Sequence, residues 1–475
     1  MPRLRPLLAG ILLVLLACLG TGAAALATPA AAVKEPAVAA AAFTDSVGVN
    51  LRPGDAPAGW ALAARLEAAG IRHVRGPAAT DPGDPALAGL RALAGADLQL
   101  DLVAGPGADP EAVAEVAASL GTAVAALEAP AGEAATPLRR AVRAHPRLPG
   151  VAVLGSGDGA DYQTVRLELG GRCPGCAGDE LGSGDGAVQV TEVDLGAGVP
   201  AAVAARYLPR LLLANAGRAV RTYVAGQGAG DTGPGLLDAT GSPTPAYASV
   251  ANLLALLDDR QRQVDPDPLG FRLTGSVDGV GHRLLQKADG HFWLALWVER
   301  PGWDPATGRE LAVRPQPVTV TLDDPVAGAR SFVPELGTAV QDSFADPPGP
   351  ARLDAVDLEL SDRVVLLELL PLGAGGSAPD ATAPPTVAAQ ATATTQPPVV
   401  KGSSQPTPPT TRPAGDAARA AAAAAKPTAA LDPASRSPLA FTGSTALSML
   451  GASMLLLLVG AAALFASRRR YHHRH

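Results

Sequence analysis

Three groups of residues in this 475-residue chain have the types and spacing to do chemistry. The first is Cys173-Pro174-Gly175-Cys176. That spacing suits a redox pair, half of a zinc site, or a short local disulfide. A zinc site needs two further ligands, and no other His or Cys lies nearby in the sequence. In an exported chain the disulfide is the expected state, so we expect a Cys173–Cys176 bridge and no metal. The second group is Asp179, Glu180 and Asp185 among glycines. Their oxygens could face calcium, but they do not follow an EF-hand spacing, so they read as solvated loop charges. The third group is carboxylates near the ends of apolar, β-branched runs. Glu133 follows Ala123–Glu128, and Glu192 lies near the end of Val188–Asp194. Two carboxylates facing one another can act as general acid and as nucleophile or base.

Such groups work only if secondary structure positions them. Eight strands are predicted at Val47–Asn50, His73–Arg75, Leu98–Ala104, Ala123–Glu128, Val151–Gly155, Thr164–Leu169, Val188–Asp194 and Arg221–Ala225. Helical patterns lie at Trp60–Ala69, Pro85–Ala94, Pro110–Leu120, Pro137–Ala144, Pro200–Ala216 and Ala248–Leu257. Pro85, Pro110, Pro137 and Pro200 each stand where a helix would begin, and proline is at home in the first turn. Strands alternating with helices predict a (β/α)8 barrel over 42–258. The glycine- and cysteine-rich stretch 170–186 has no helical period, so a loop is expected in place of helix six. From Phe271 the pattern changes to short strands, with Phe292–Trp297, Val318–Leu322 and Val364–Leu369 among them. They predict a small antiparallel β-sandwich over 259–371.

Both ends of the chain read as processing segments. Arg3 and Arg5 precede an apolar stretch and then Ala25-Leu26-Ala27, which is the pattern of a secretory signal peptide over 1–27. Leu15-Leu16-Ala17-Cys18 also resembles a lipobox, which would place a lipid on Cys18. Over 372–438 there is little but Ala, Thr, Pro, Ser and Gly. This composition buries too little apolar surface to offset ordering entropy. Its prolines favour an extended stalk at about 3.1 Å per residue, or up to roughly 200 Å in all. Leu439-Ala440-Phe441-Thr442-Gly443 comes next, then an apolar run at 446–466 and a basic tail at 467–475. About twenty apolar residues span a bilayer core, and the arginines hold the tail in the cytoplasm.

That order resembles a cell-wall sorting signal, and the pentapeptide is similar to the LAxTG variant read by class E sortases of actinobacteria. The resemblance implies cleavage between Thr442 and Gly443 and transfer of Thr442 to peptidoglycan. A second resemblance covers most of 43–371. Phe43-Thr44-Asp45-Ser46-Val47-Gly48-Val49-Asn50 and Gly70-Ile71-Arg72-His73-Val74-Arg75 are similar to the opening of secreted, cellulase-like glycoside hydrolases of the (β/α)8 clan. Tyr207–Leu213, Arg221-Thr222-Tyr223, Gly235–Tyr247 and Leu284–Trp297 resemble later parts of that family in the same order. The family implies an acid/base glutamate in an Asn-Glu pair after strand four, a nucleophile after strand seven and an active-site arginine on strand two. Glu192 falls at the nucleophile position and Arg75 at the arginine. The Asn-Glu pair would align with Ala131-Gly132, so both groups are gone, and Glu133, one residue late, is the displaced candidate for the acid. The family's His-x-Tyr pattern of strand six is also missing, with Val165-Arg166-Leu167-Glu168 in that region.

Composition narrows the remaining classes. A net charge of −7 supplies no basic field for nucleic acid. Aromatics are 3% of residues, so the barrel offers as sugar platforms only Trp60, Tyr162, Tyr207, Tyr223 and Tyr247. The expectation is a wall-anchored surface protein whose glycosidase-like barrel has lost its chemistry and serves as a glycan-binding module or scaffold. Its expected partners are a class E-type sortase, peptidoglycan and a carbohydrate, with one membrane helix before sorting and no cofactor. An active hydrolase using Glu192 and Glu133 is the second reading, and a plain display or adhesion module the third.

Overall fold

The computed structural model describes residues 34–51, 59–177, 181, 188–227, 233–259, 265–344 and 352–372. Eight parallel strands close a barrel: β1 Val47–Asn50, β2 His73–Pro77, β3 Gln99–Val103, β4 Val124–Glu128, β5 Ala152–Gly155, β6 Tyr162–Glu168, β7 Val188–Asp194 and β8 Ala219–Ala225. The barrel closes where β8 pairs with β1, Tyr223 lying opposite Gly48. Helix α1 Ala40–Asp45 enters the barrel. Around it stand α2 Gly59–Ala68, α3 Ala86–Ala94, α4 Pro110–Ser119, α5 Thr136–Ala144, α6 Ala201–Asn215 and α7 Pro245–Leu257. Local sequence sets their starts. Asp109 caps α4 by accepting from the Glu111 N–H at 3.1 Å, with Pro110 in the first turn. Thr244 caps α7 in the same way through the Tyr247 N–H, ahead of Pro245.

The predicted loop after β6 carries only a single 3-10 turn at Pro174–Ala177 among the described residues. The expectation that helix six alone is replaced needs a correction. No helix follows β5 either, because only residues 156–161 join it to β6. Parallel neighbours ordinarily need a much longer crossover. Here β5 is short, and the chain doubles back at once to lay Asp161 beside Val153. The Asp161 carboxylate accepts from the Val153 N–H at 2.8 Å and pairs with Arg139 and Arg143 of α5. Helix α5 therefore clamps the return that a further helix would otherwise have made.

The C-terminal part is a two-sheet sandwich. Strands β9 Phe271–Gly275, β12 Gln316–Val326 and β15 Leu353–Leu360 form one sheet. The other holds β10 Val280–Gln286, β11 Phe292–Val298, β13 Gly328–Phe332, β14 Val340–Phe344 and β16 Val365–Leu370, with residues 38–39 as an edge strand beside β10. The chain before the barrel thus contributes an edge strand to the sandwich at residues 38–39, while Glu35–Pro36 and Pro268–Leu269 form a separate two-stranded sheet. Leu284, Leu294, Leu296, Leu367 and Leu369 face the smaller sheet, while Leu285, Trp293, Trp297 and Leu366 join the barrel's core. That double burial explains why Phe292–Val298 reads as a continuous apolar run.

Helix α6 lies between barrel and sandwich and is buried almost all round, Arg206 and Arg210 included. Arg210 pairs with Glu299 and reaches the carbonyls of Arg300 and Asp362, and Arg206 pairs with Glu310 and Asp362. Glycines allow the loop after β6 to dock here. A Cβ on Gly175 would lie 2.4 Å from the Glu299 side chain, and one on Gly171 would lie 3.0 Å from Pro305. No helix among the described residues is long and apolar enough to cross a membrane. The signal peptide, Cys18, the stalk from 373 onward, Leu439–Gly443 and the apolar run 446–466 lie outside the described residues.

Candidate active site at the barrel mouth

Register assigns each strand's inward face. Gly48, His73 and Gln99 share a rung, as do Asn50, Arg75, Asp101, Ala126 and Ala152. On β6 and β7, Thr164 lies opposite Gln189 and Val165 opposite Val190, but Arg166 lies opposite Glu192. Thr191 is therefore an extra residue, a β-bulge. Without it Glu192 would share the outward face of Val190. With it, Glu192 joins Gln189 on the inward face at the carboxyl end of the strand, where barrel enzymes carry their chemistry.

Two ion-pair systems occupy this mouth. In the first, Arg75 donates through Nε to Glu128 Oε2 at 2.7 Å and through Nη2 to Glu128 Oε1 at 2.9 Å. Its Nη1 donates to Asn50 Oδ1 at 3.0 Å, and Asn50 Nδ2 donates to the Thr191 carbonyl at 2.7 Å. A single chain of bonds thus runs from β4 through β2 and β1 to the bulge on β7. In the second, Arg166 gathers three carboxylates: Glu168 at 3.4 Å, Glu192 at 3.3 Å and Asp194 at 3.2 Å. The Glu192 side chain is 31% exposed, so it lies at the surface of the mouth rather than beneath it.

Glu133 is aimed elsewhere. Gly132 takes a positive φ of 80°, and the turn closes with the Glu133 N–H on the Pro130 carbonyl. The carboxylate then accepts from the Gly107 N–H, 3.2 Å away in the loop after β3, and is exposed. Of the three residues singled out for catalysis, Arg75 belongs to the first system and Glu192 to the second, the first ending on the Thr191 carbonyl next to Glu192, and Glu133 stands outside both. Arg166, Asp194 and Asn50 were not assigned roles from sequence. The only trace of Arg166 was its charge in place of the family's His-x-Tyr.

The sugar-stacking candidates are mostly spent on packing. Tyr207, Tyr223 and Tyr247 are buried. The Tyr207 hydroxyl accepts from the Gly302 N–H, and the Tyr247 hydroxyl donates to the Arg65 carbonyl. Tyr223 donates to Asp101 in the barrel core, and burial above all pushes its hydroxyl well above the usual tyrosine range. His73, read as a packed strand residue, is buried with Nε2 3.2 Å from Asp45 Oδ1, and its hydrogen bond holds the Asp45 carboxyl below the usual range.

No protein-family model matches this chain, and no curated protein matches it. Solved structures do resemble it. A family 39 glycoside hydrolase from Bacteroides cellulosilyticus aligns at 14% identity and a TM-score of 0.44, over 70% of this chain and 83% of its own. A family 30 subfamily 8 xylanase from Clostridium acetobutylicum aligns at 10% identity and 0.43, over 71% and 97%. A family 30 endoxylanase from Clostridium papyrosolvens aligns at 9% and 0.40, over 72% and 98%. At these values the likeness carries no argument about activity. The closed eight-stranded parallel barrel rests on the strand pairing itself.

Cys173 and Cys176 are joined in a disulfide, with Cys173 buried. Glu299 is the carboxylate near them. Bridged sulfurs are not thiolate ligands, and the Glu299 oxygens already face Arg210 and the Trp297 indole N–H. The disulfide therefore staples the loop after β6 beside the sandwich. Asp179, Glu180 and Asp185 lie outside the described residues.

Proposed function

We propose that this chain is a cell-wall-anchored surface protein presenting a glycosidase-like barrel with impaired chemistry, and that the barrel serves as a glycan-binding or scaffolding module. The observation that carries this reading is the pairing at the mouth. Glycoside cleavage needs one carboxyl to give a proton to the leaving oxygen and a second to attack or activate water. Both Glu128 oxygens accept from Arg75, so neither is left to present a proton. Glu133 is turned to the Gly107 backbone. Glu192 has the right strand and face for a nucleophile, but it shares Arg166 with two further carboxylates and lacks an acid partner.

The test is turnover and binding measured together. The secreted chain and its Glu192→Gln variant are incubated with aryl glycosides, extracellular polysaccharides and purified cell walls. Binding without turnover in either protein is the expected result. Turnover that disappears in Glu192→Gln would overturn it in favour of a retaining hydrolase with Glu192 as nucleophile and Glu133 recruited as acid. Neither binding nor turnover would leave a display or adhesion module. Wall attachment by a class E-type sortase is tested separately. Thr442→Ala should move the protein from purified walls to membrane and medium, and an unchanged wall fraction would refute the sorting reading.

A further inference from the structure

Beneath the mouth, the barrel core holds polar side chains that the surface chemistry does not use. Asp101 and Gln189 are fully buried at 0% exposure. Asp101 Oδ2 accepts from Gln189 Nε2 at 2.8 Å and from the Tyr223 hydroxyl. The amide orientation is settled by that contact, because the reverse would set two oxygens against each other. Asp101 Oδ1 and Gln189 Oε1 then have no partner. An unsatisfied buried acceptor costs on the order of 1–3 kcal/mol, more when charged, so two on hydrogen-bonded side chains are a strong demand for a donor. The neighbouring positions on the rung carry small side chains. Ala126 and Ala152 follow Asp101 on its rung, and Gly48 has no side chain because the Tyr223 ring fills that space, 2.4 Å from where a Cβ would stand. Charge is not what is missing. Arg75 neighbours Asp101 on the rung, and Arg221 on β8 acts on the same Tyr223. The missing group is a small neutral donor, either a water giving one O–H to each oxygen or a hydroxyl giving its one O–H to one of them.

We propose that the Asp101–Gln189 pair is a hydroxyl-binding site in the barrel core. The hydroxyl has two possible sources, an internal water or a sugar hydroxyl of a glycan held at the mouth. Only the second source rests on the proposed function. Water is the source expected in the free protein, since polar and roomy sites of this kind are hydrated.

Oxygen-17 magnetic relaxation dispersion detects long-lived internal waters. It would be recorded on the full secreted chain, alone and with cellohexaose, and on Gln189→Leu. Dispersion that falls in Gln189→Leu and is untouched by cellohexaose assigns the site to water. Dispersion that falls in both assigns it to a water that the sugar displaces. Equal dispersion in the wild type and a folded Gln189→Leu overturns the proposal. Should that variant fail to fold, a high-resolution crystal structure of the wild type decides. A density peak within about 2.7–3.2 Å of Asp101 Oδ1 or Gln189 Oε1, the normal hydrogen-bond range, sustains the site, and an empty core overturns it.

Discussion

Replacing Arg210 by Met tests how the barrel and sandwich are held together. Its side chain is fully buried on α6, while that of Glu299 is 18% exposed. Removing one partner of a buried pair leaves a charge without compensation and costs roughly 3–5 kcal/mol, whereas removing both often costs little. Arg210→Met leaves Glu299 some access to water and the Trp297 N–H, 2.6 Å from Oε2, so a loss of about 3 kcal/mol is expected. Glu299→Gln leaves the guanidinium with long contacts to the carbonyls of Arg300 at 3.4 Å and Asp362 at 3.5 Å and with the Tyr207 ring, 5.2 Å away, for about 4 kcal/mol. Additivity would give the double variant about 7 kcal/mol, but neighbours in one network do not add, and with neither charge left unpaired a cost below either single variant, under about 3 kcal/mol, is expected. Urea unfolding followed by tryptophan fluorescence measures all three, since Trp293, Trp297 and Trp303 belong to the sandwich and its rim. At roughly 2 °C per kcal/mol for a unit of this size, Arg210→Met should also melt about 6 °C lower. Single variants costing under about 1 kcal/mol, or a double variant equal to the sum, would refute the view that this pair is a coupled buried lock.

Two further outcomes follow from local geometry. His291 Nδ1 lies 2.9 Å from Glu368, and that hydrogen bond raises the imidazole above its ordinary 6.5. A raised folded value stabilises below the unfolded value and is lost as pH rises through the folded one, so stability should decline above about pH 6.5 in the wild type and stay flatter in His291→Gln, by urea midpoints across pH 5–9. Gly196 has φ of 97°, and a Cβ there would sit 2.5 Å from the Gly171 nitrogen; Gly196→Ala should therefore destabilise by at least about 1 kcal/mol and expose the loop after β6 to limited proteolysis, and wild-type resistance would show that this contact can give.

The strands of the barrel were readable because each is a short β-branched or leucine-rich run between turn residues, and observed limits depart from expected ones by at most two residues. The missing helix after β5 could be inferred from the short gap before β6, but the return depends on Asp161 meeting two arginines of α5 across space. The edge strand at Val38–Ala39 was not readable, since two residues carry no period. At the mouth, strand position sufficed to choose Arg75 and Glu192. The partner of Glu192 depended on the bulge at Thr191, which nothing in Val188–Asp194 signals, so Arg166 was missed. Asp101 did leave a trace. A lone carboxylate inside Gln99–Val103 conflicts with a simple apolar core, and such conflicts mark sites that packing alone does not explain.

The strand at Val38–Ala39 has a consequence for how the chain reaches its final form. If the protein is exported from its N-terminus, these residues emerge before the rest of the globular part, yet their partners, Leu285 and Gln286, come some 250 positions later. The pairing of Glu35 with Leu269 has the same delay. The opening segment must stay extended and unpaired while every barrel strand is delivered, and it seats only after the sandwich has arrived. Barrel assembly can begin early, but closure of the whole waits for the end of delivery, which makes the segment Glu35–Ala39 the last seam to be sewn and the first place where an added tag would be felt.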